Sequence, residues 1–429
     1  MNVSTADETA QAEALREAMV TALRGMNAIR GEEVADAFRA VPRHLFAPGE
    51  PLEGVYAADS AVVTKRDERG AAVSALSSAH IQATMLEQAQ LGAGMRVLEI
   101  GSGGCNAALI AELVGVTGQV TTVDIDPDVA DRAQDCLAAA GYGKVNVVVA
   151  DADGGVPEHA PYDRVIVTAS AWDVPPAWPD QLSEGGRIVV PLRMRGLTRS
   201  VAFERDGDHL VSRGYHLCGF VPMQGAGAHT ERLVSLDGDR VSLWIDGDQP
   251  VEADRLRDAL FAPRVERWSG MEFGPGEPLH DLDLWVATVV DDFGLLKATQ
   301  EAIDSGLASK SALFGGKAMV TGGSFAYRAA ARPVDAERTR FEFGAYAHGP
   351  DAARLAEDYV DLIQVWDRDH RGGLGARIEV YSEAASDATL PPGRVIKRVI
   401  NKRHTRVVIS WPDRDDTQTE SPSSRRATP

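Results

Sequence analysis

Residues 97–113, VLEIGSGGCNAALIAEL, run from a short apolar segment through glycines straight into a helical pattern, and no other stretch constrains the fold as tightly. Val97, Leu98 and Ile100 read as a buried strand, and Ala107 to Leu113 combine good helix formers with apolar residues at helical spacing. Gly101, Gly103 and Gly104 allow a tight turn and a close approach of ligand to backbone. The helix start beyond presents free N–H groups. Such a strand–turn–helix is the first βα unit of a doubly wound nucleotide-binding sheet.

The details of the loop select the ligand. No Gly-Lys-Ser/Thr ending follows, so the loop is not a P-loop, and Asn106 stands where a dinucleotide fingerprint requires its third glycine. Glu99 at the strand end is badly placed for a pyrophosphate and well placed for a cationic ligand. GQVTTVDIDPDVADRA (118–133) reads as a second strand ending in Asp124, with Asp126-Pro127 opening a helix. An acid there can accept hydrogen bonds from both ribose hydroxyls. A third strand, VNVVVADADGG, leads to Asp151, placed for an adenine amino group. A phosphate-free adenosine with a positive centre is S-adenosylmethionine.

Beyond the loop, residues of about 20–226 resemble the protein L-isoaspartate O-methyltransferase family. The segments that carry the resemblance are AVPRHLF (40–46), VYAADS (55–60), ALSSAHIQATMLEQ (75–88), PEHAPYDRVIVTASA (157–171), LSEGGRIVVPL (182–192) and GFVPMQG (219–225). The resemblance implies a Rossmann-like class I methyltransferase domain of α/β class. It places the cofactor against Glu99, Gly101, Ser102, Gly103 and Asp124, and further against Ile125, Asp151, Ala152 and Thr168. Ser77 matches the active-site serine of the family; its bland alternative is a helix cap, a role open equally to Ser78. Asp59, Thr64, Lys65, Ser78 and His80 are the substrate-side candidates. The chain departs from the family pattern at Cys105, at Ala79, at ADA (150–152) and in the lengthened loop VVTKRDERGAAVS (62–74). These departures bear on substrate choice more than on cofactor binding.

The formal charge of −19 argues against nucleic acid and anionic membrane as partners. Three cysteines without paired spacing fit a reducing cytoplasm, no signal peptide is read at the start, and no apolar run reaches membrane length. The ten histidines form no tight metal-ligand cluster, and His44 and His159 read as hydrogen-bonded structural residues, so no metal site is expected. No oligomeric state is assigned.

The expected organisation is an N-terminal segment (1–19, partly helical or disordered), a catalytic domain (20–226), an α+β extension (227–412) and a disordered tail (413–429). In the extension, residues 239–246 and 339–346 alternate as strands, as do ARIEVYS and TRVVISW. PDAARLAEDYVDLIQVW (350–366) reads as an amphipathic helix with Pro350 in its first turn. RVIKRVINKRHTR (394–406) holds six Lys and Arg and no acid: either a solvated face or a dock for an acidic peptide.

With its long extension the chain resembles the methyltransferases of FxLD-type lanthipeptide systems. That resemblance implies methylation of an aspartate in a ribosomally made precursor peptide, followed by collapse to an aspartimide and hydrolysis to isoaspartate. The alternatives are repair of isoaspartate in damaged proteins and a non-catalytic scaffold that binds the peptide. The substrate of the first two is a peptide or protein carboxylate, already ionised at neutral pH, so no general base is expected.

Overall fold

The computed structural model describes residues 5–246, 251–390 and 396–412. Apolar runs bounded by turns become the strands β1 (Val62–Arg66), β2 (Ala72–Leu76), β3 (Arg96–Ile100), β4 (Gln119–Asp124), β5 (Asn146–Val149), β6 (Tyr162–Val167), β7 (Leu182–Met194), β8 (Leu197–Asp206) and β9 (His209–Leu217). β1 and β2 form a hairpin of their own. The others pair in the order β5-β4-β3-β6-β7-β8-β9, parallel as far as β7 and antiparallel beyond. Parallel strands buried on both faces must be apolar on both. Along β7, Ile188, Val190 and Leu192 enter one core while Val189 enters the other. Along β6, Val165 and Val167 face one core and Ile166 the other.

The extension supplies β10 (Arg232–Asp237), β11 (Val241–Ile245), β12 (Val265–Phe273), β13 (Phe293–Ala298), β14 (Gly316–Thr321), β15 (Ser324–Arg328), β16 (Arg332–Pro333), β17 (Phe341–His348), β18 (Arg377–Ser382), β19 (Ile396–Asn401) and β20 (Thr405–Trp411). β10 to β17 make a second, antiparallel sheet. β18, β20 and β19 instead continue the first sheet beyond β9, giving ten strands in all. The strands expected within 227–412 are therefore shared between two sheets. The helices His280–Val289 and Ala352–Asp369 bury Trp285, Tyr359, Ile363 and Trp366 in the core that also holds Ile188, Val190 and Trp411.

Several local expectations shift. The N-terminal segment is helical from Thr5, within a helix that runs to Gly25. Asp351 stands at the N-cap position of the Ala352–Asp369 helix without a side-chain cap bond, which puts Pro350 before its first turn. Residues 413–429, expected to be disordered, lie outside the described residues, as does Arg394. Within the basic stretch, four cations bond to partners in the protein itself, although Lys397 and Arg403 are exposed. Arg398 donates to the Thr288 carbonyl at 2.8 Å and pairs with Asp291 at 2.9 Å. Arg403 donates to the Ala226 carbonyl at 3.0 Å, and Arg406 to Asp387 at 2.6 Å. Lys402 is buried on the carbonyls of Trp172 and Arg193, and burial pulls its ammonium down to about 8. These contacts staple β19 and β20 internally through Arg398, Lys402, Arg403 and Arg406.

Trp411 shows how closely the parts are joined. Its ring meets Trp285 edge-on at 5.5 Å, and its Nε1 donates to the Thr288 hydroxyl at 3.1 Å. Trp411→Ala is expected to cost about 3–5 kcal/mol. Because β20 belongs to the ten-stranded sheet, denaturant unfolding followed by fluorescence and by circular dichroism should shift as one transition; separate transitions would show that the extension folds on its own.

Candidate active site

The glycine loop leaves β3 at the carboxyl edge of the sheet, beside the switch from β4 to β6 as neighbours of β3. The Gly101 N–H donates to the Val123 carbonyl at 2.8 Å, and the Thr168 N–H to the Ile100 carbonyl at 2.7 Å. Gly101 has φ +97°, and a methyl group there would stand 2.6 Å from the Thr168 hydroxyl, so the position is restricted to glycine. That hydroxyl donates to the Gly101 carbonyl at 2.8 Å. The Ser102 N–H then donates to Asp124 Oδ2 at 2.9 Å and ties the loop to the end of β4.

Three acids surround this loop. Glu99 is fully buried; Asn106 donates to one oxygen at 2.9 Å and Thr122 to the other at 2.6 Å. Burial outweighs those two bonds, and the nearby Asp124 adds to it, so the Glu99 carboxyl is pushed up to about 7. Asp124, also raised by burial, accepts from the Asp126 N–H at 3.0 Å. Asp126 caps the helix that begins at Pro127, as its sequence leads one to expect. Asp151 accepts from the Asp153 N–H at 3.0 Å and from the Ala226 N–H at 2.8 Å. The second bond pins the 221–227 loop across the cleft, where Gly225 (φ +66°) leaves no room for a side chain between Asp151 and Ile125.

Ser77, Glu99, Gly101, Ser102, Gly103, Asp124, Ile125, Asp151, Ala152 and Thr168 line one open cleft of about 850 Å³. The remaining candidates do not line it. Asp59 is exposed and meets Ser60 at 3.4 Å. Thr64 bonds to Ser74 at 3.0 Å and to Arg132 at 3.0 Å. Lys65 pairs with Asp126 at 2.6 Å and Asp128 at 2.8 Å, which raises its pKa and latches the β1–β2 hairpin to the Pro127 helix. Ser78 occupies the N-cap position of the Ala79–Ala89 helix but makes no side-chain cap bond. The His80 N–H donates to the Ala58 carbonyl at 2.8 Å.

The cleft also takes in residues that the sequence does not mark as ligands. Val221, Pro222, Met223 and Gln224 form one wall, and Gln82 and Asn106 part of the floor. A loop that crosses from β9 has no periodicity to reveal where it lands. Arg43, from AVPRHLF, is 2% exposed and donates to the carbonyls of Val55 at 2.7 Å and Ser77 at 2.5 Å, and to Gln82 Oε1 at 2.5 Å. It holds the backbone of Ser77 at the cleft. His44 meets Tyr56 at 2.7 Å, in keeping with a structural histidine.

The donor set suits an adenosine-based cation. Buried Ser102 Oγ, at the turn of the loop, has no hydrogen-bond partner among the described residues. Exposed Ile125 offers an apolar surface beside Asp124, and among the described residues no basic side chain lines the cleft to meet a phosphate. Fold and site together define an S-adenosylmethionine-dependent methyltransferase. Residues 14–228 match the family of protein-L-isoaspartate(D-aspartate) O-methyltransferase, and the chain belongs to it. The protein-L-isoaspartate O-methyltransferase of Methanopyrus kandleri is 38% identical over 213 residues, which span 49% of this chain and 91% of that protein. That of Methanococcoides burtonii is 38% identical over 195 residues, 45% of this chain and 93% of the other. A solved protein-L-isoaspartate O-methyltransferase aligns with 85% of this chain and 96% of its own at 23% identity, with a TM-score of 0.48. No helix among the described residues is long and apolar enough to cross a membrane, and none of their His, Cys, Asp and Glu side chains gather as a metal site.

The raised Glu99 carboxyl has a consequence for binding. Ionised, it attracts a cation; protonated, it does not. Affinity for S-adenosylmethionine should therefore fall as pH drops below about 7, by at most about tenfold per unit, and level off above it. Glu99→Gln should flatten that profile. Calorimetric titration at about pH 6, 7 and 8 checks both, and parallel profiles for the two proteins would remove Glu99 from the account.

Proposed function

We propose that this carboxyl O-methyltransferase acts on the free carboxylate of an aspartyl or isoaspartyl residue of a polypeptide, with Ser77 at that carboxylate. The observation that carries the reading is the cleft itself: Ser77 shares it with Glu99, Asp124 and Asp151. Backbone N–H and C=O groups of Gly101, Ser102 and Gly103 would cradle the cofactor, Asp124 the ribose, and Asp151 and Ala152 the adenine edge. Bound there, S-adenosylmethionine supplies a methyl group on a sulfonium that departs as a neutral thioether.

The tasks left to the protein are alignment and exclusion of water. The substrate carboxylate is ionised at neutral pH and needs no base. The Ser77 hydroxyl donates to one of its oxygens and orients the other towards the methyl group. Arg43 keeps Ser77 in place through its carbonyl. The Lys65 latch keeps the β1–β2 hairpin, and with it Val73 to Leu76, along the wall of the cleft.

Family membership favours isoaspartyl residues of damaged proteins as the substrate. A second reading, an ordinary aspartate of a ribosomally made precursor peptide carried on to aspartimide, is favoured by one observation: the extension places three strands in the catalytic sheet itself. Labelled cofactor with an isoaspartyl peptide or a cyclised precursor peptide separates the two by mass. Methylation of the isoaspartyl peptide alone supports repair. A methyl ester on the precursor that proceeds to net loss of water supports maturation.

Ser77→Ala should lower kcat by about tenfold to a hundredfold, the worth of one hydrogen bond to a charged group. Cofactor affinity should stay within about twofold. Equal losses in the two quantities would place Ser77 with the cofactor and not with the substrate.

A further inference from the structure

β7 pairs antiparallel with β8 and β8 with β9, so β9 runs in the same direction as the parallel strands. Its carboxyl end therefore lies on the edge of the sheet that carries the glycine loop. From Leu217 the chain continues to Val221–Gln224 in the wall of the cofactor cleft. On one side β9 pairs with β8 at His209–Ser212 and again at Tyr215–Leu217, with a bulge at Arg213 and Gly214, where Gly214 has φ +138°. On the other, β18 pairs with it only at Leu210 and Val211. Among the described residues no strand pairs with Arg213–Leu217 on that side.

The segment before β18 splays away from this open edge. The Tyr215 hydroxyl stands between, donating to Asp281 at 2.9 Å and accepting the Ala376 N–H at 2.9 Å. The result is a notch of about 2090 Å³ including its mouth, with the backbone of β9 as one wall and Leu374–Arg377 as the other. Two features beyond the open edge mark it as built to receive a chain. Glu379, in its lining, is 2% exposed; its Oε1 takes Arg377 at 3.0 Å, while buried Oε2 has no hydrogen-bond partner among the described residues. Leu374 at the lip is 76% exposed, and Leu217, at the end of the open edge, is 52% exposed.

We propose that this notch holds an extended segment of the substrate polypeptide flanking the methyl-accepting residue, paired by backbone hydrogen bonds to Arg213–Leu217. The inference rests on the polypeptide-substrate reading above and adds where the flank lies. An unpaired strand edge recognises backbone, so it accepts many sequences. Alternate side chains of the added strand turn into the notch, against Leu374, and a donor on the segment satisfies Glu379 Oε2. At roughly 3.3 Å per residue, the open edge matches a flank of about five residues, and its end at Leu217 delivers the next ones to the cleft.

The test compares an isoaspartyl peptide of about six residues with the same peptide lengthened by about ten residues on either side. Each is assayed for methylation and, with a fluorescent label, for binding by anisotropy. One of the longer peptides should show a KM about tenfold lower at equal kcat, and bind correspondingly more tightly. N-methylation of alternate flank amides should abolish the gain, and Leu374→Asp should reduce it several-fold. A KM and affinity indifferent to length, or a gain that survives both changes, overturns the notch. If neither peptide is methylated but the long one binds and loses binding on N-methylation, the isoaspartyl substrate is wrong and the notch stands. If the long peptide does not bind at all, the notch falls whatever the activity.

Discussion

The structure depends on one constraint: strands β3, β4, β6 and β7 bury apolar residues on both faces of the sheet, which leaves little of their central stretches for chemistry. Chemistry is displaced to the carboxyl ends of the strands, where chain direction changes and backbone groups come free. Glu99 is a carboxylate within a strand, fully buried and held by Asn106 and Thr122. Its burial keeps the carboxyl near the point of ionisation, which makes it responsive to a cation in the cleft. Gly101, Ser102, Asp124, Asp151 and Thr168 all leave the sheet at that same edge.

The second determinant is the junction at β9. Two residue pairs, Glu379 with Val211 and Val380 with Leu210, join the C-terminal strands to the catalytic sheet. Shared burial of Trp285, Trp366 and Trp411 with the sheet residues makes the extension part of one core. The hairpin that ends β19 also reaches the site, since Arg403 bonds the carbonyl of Ala226 while the N–H of Ala226 bonds Asp151. An extension of this kind does more than add surface. It shapes the wall beside the cofactor cleft.

The first βα unit, the capped helix at Asp126-Pro127 and the acids at the strand ends were legible because each is a local pattern with a local cause. The same holds for β11, β17 and the Ala352–Asp369 helix, whose periodicities of two and of 3.6 residues survive in the structure. Thr64 and Lys65 were legible only as polar residues near a substrate loop. Which way they faced depended on Arg132, Asp126 and Asp128, more than sixty residues away in the chain. The basic stretch at 394–406 misled for the same reason. Lys402 sits on carbonyls of Trp172 and Arg193, partners that no local pattern announces.

By itself, then, the sequence determined a strand–glycine–helix loop for a phosphate-free adenosine cation, and the family wording around Ser77, because backbone sterics and side-chain chemistry act over a few residues. Only the tertiary structure decided that β18 to β20 extend the catalytic sheet, that Arg43 holds Ser77, and that β9 keeps half an edge open. Strand partnership is the reason. Backbone hydrogen bonds are the same for every residue type, so which strands meet is settled by how whole faces pack and not by the letters along any one of them.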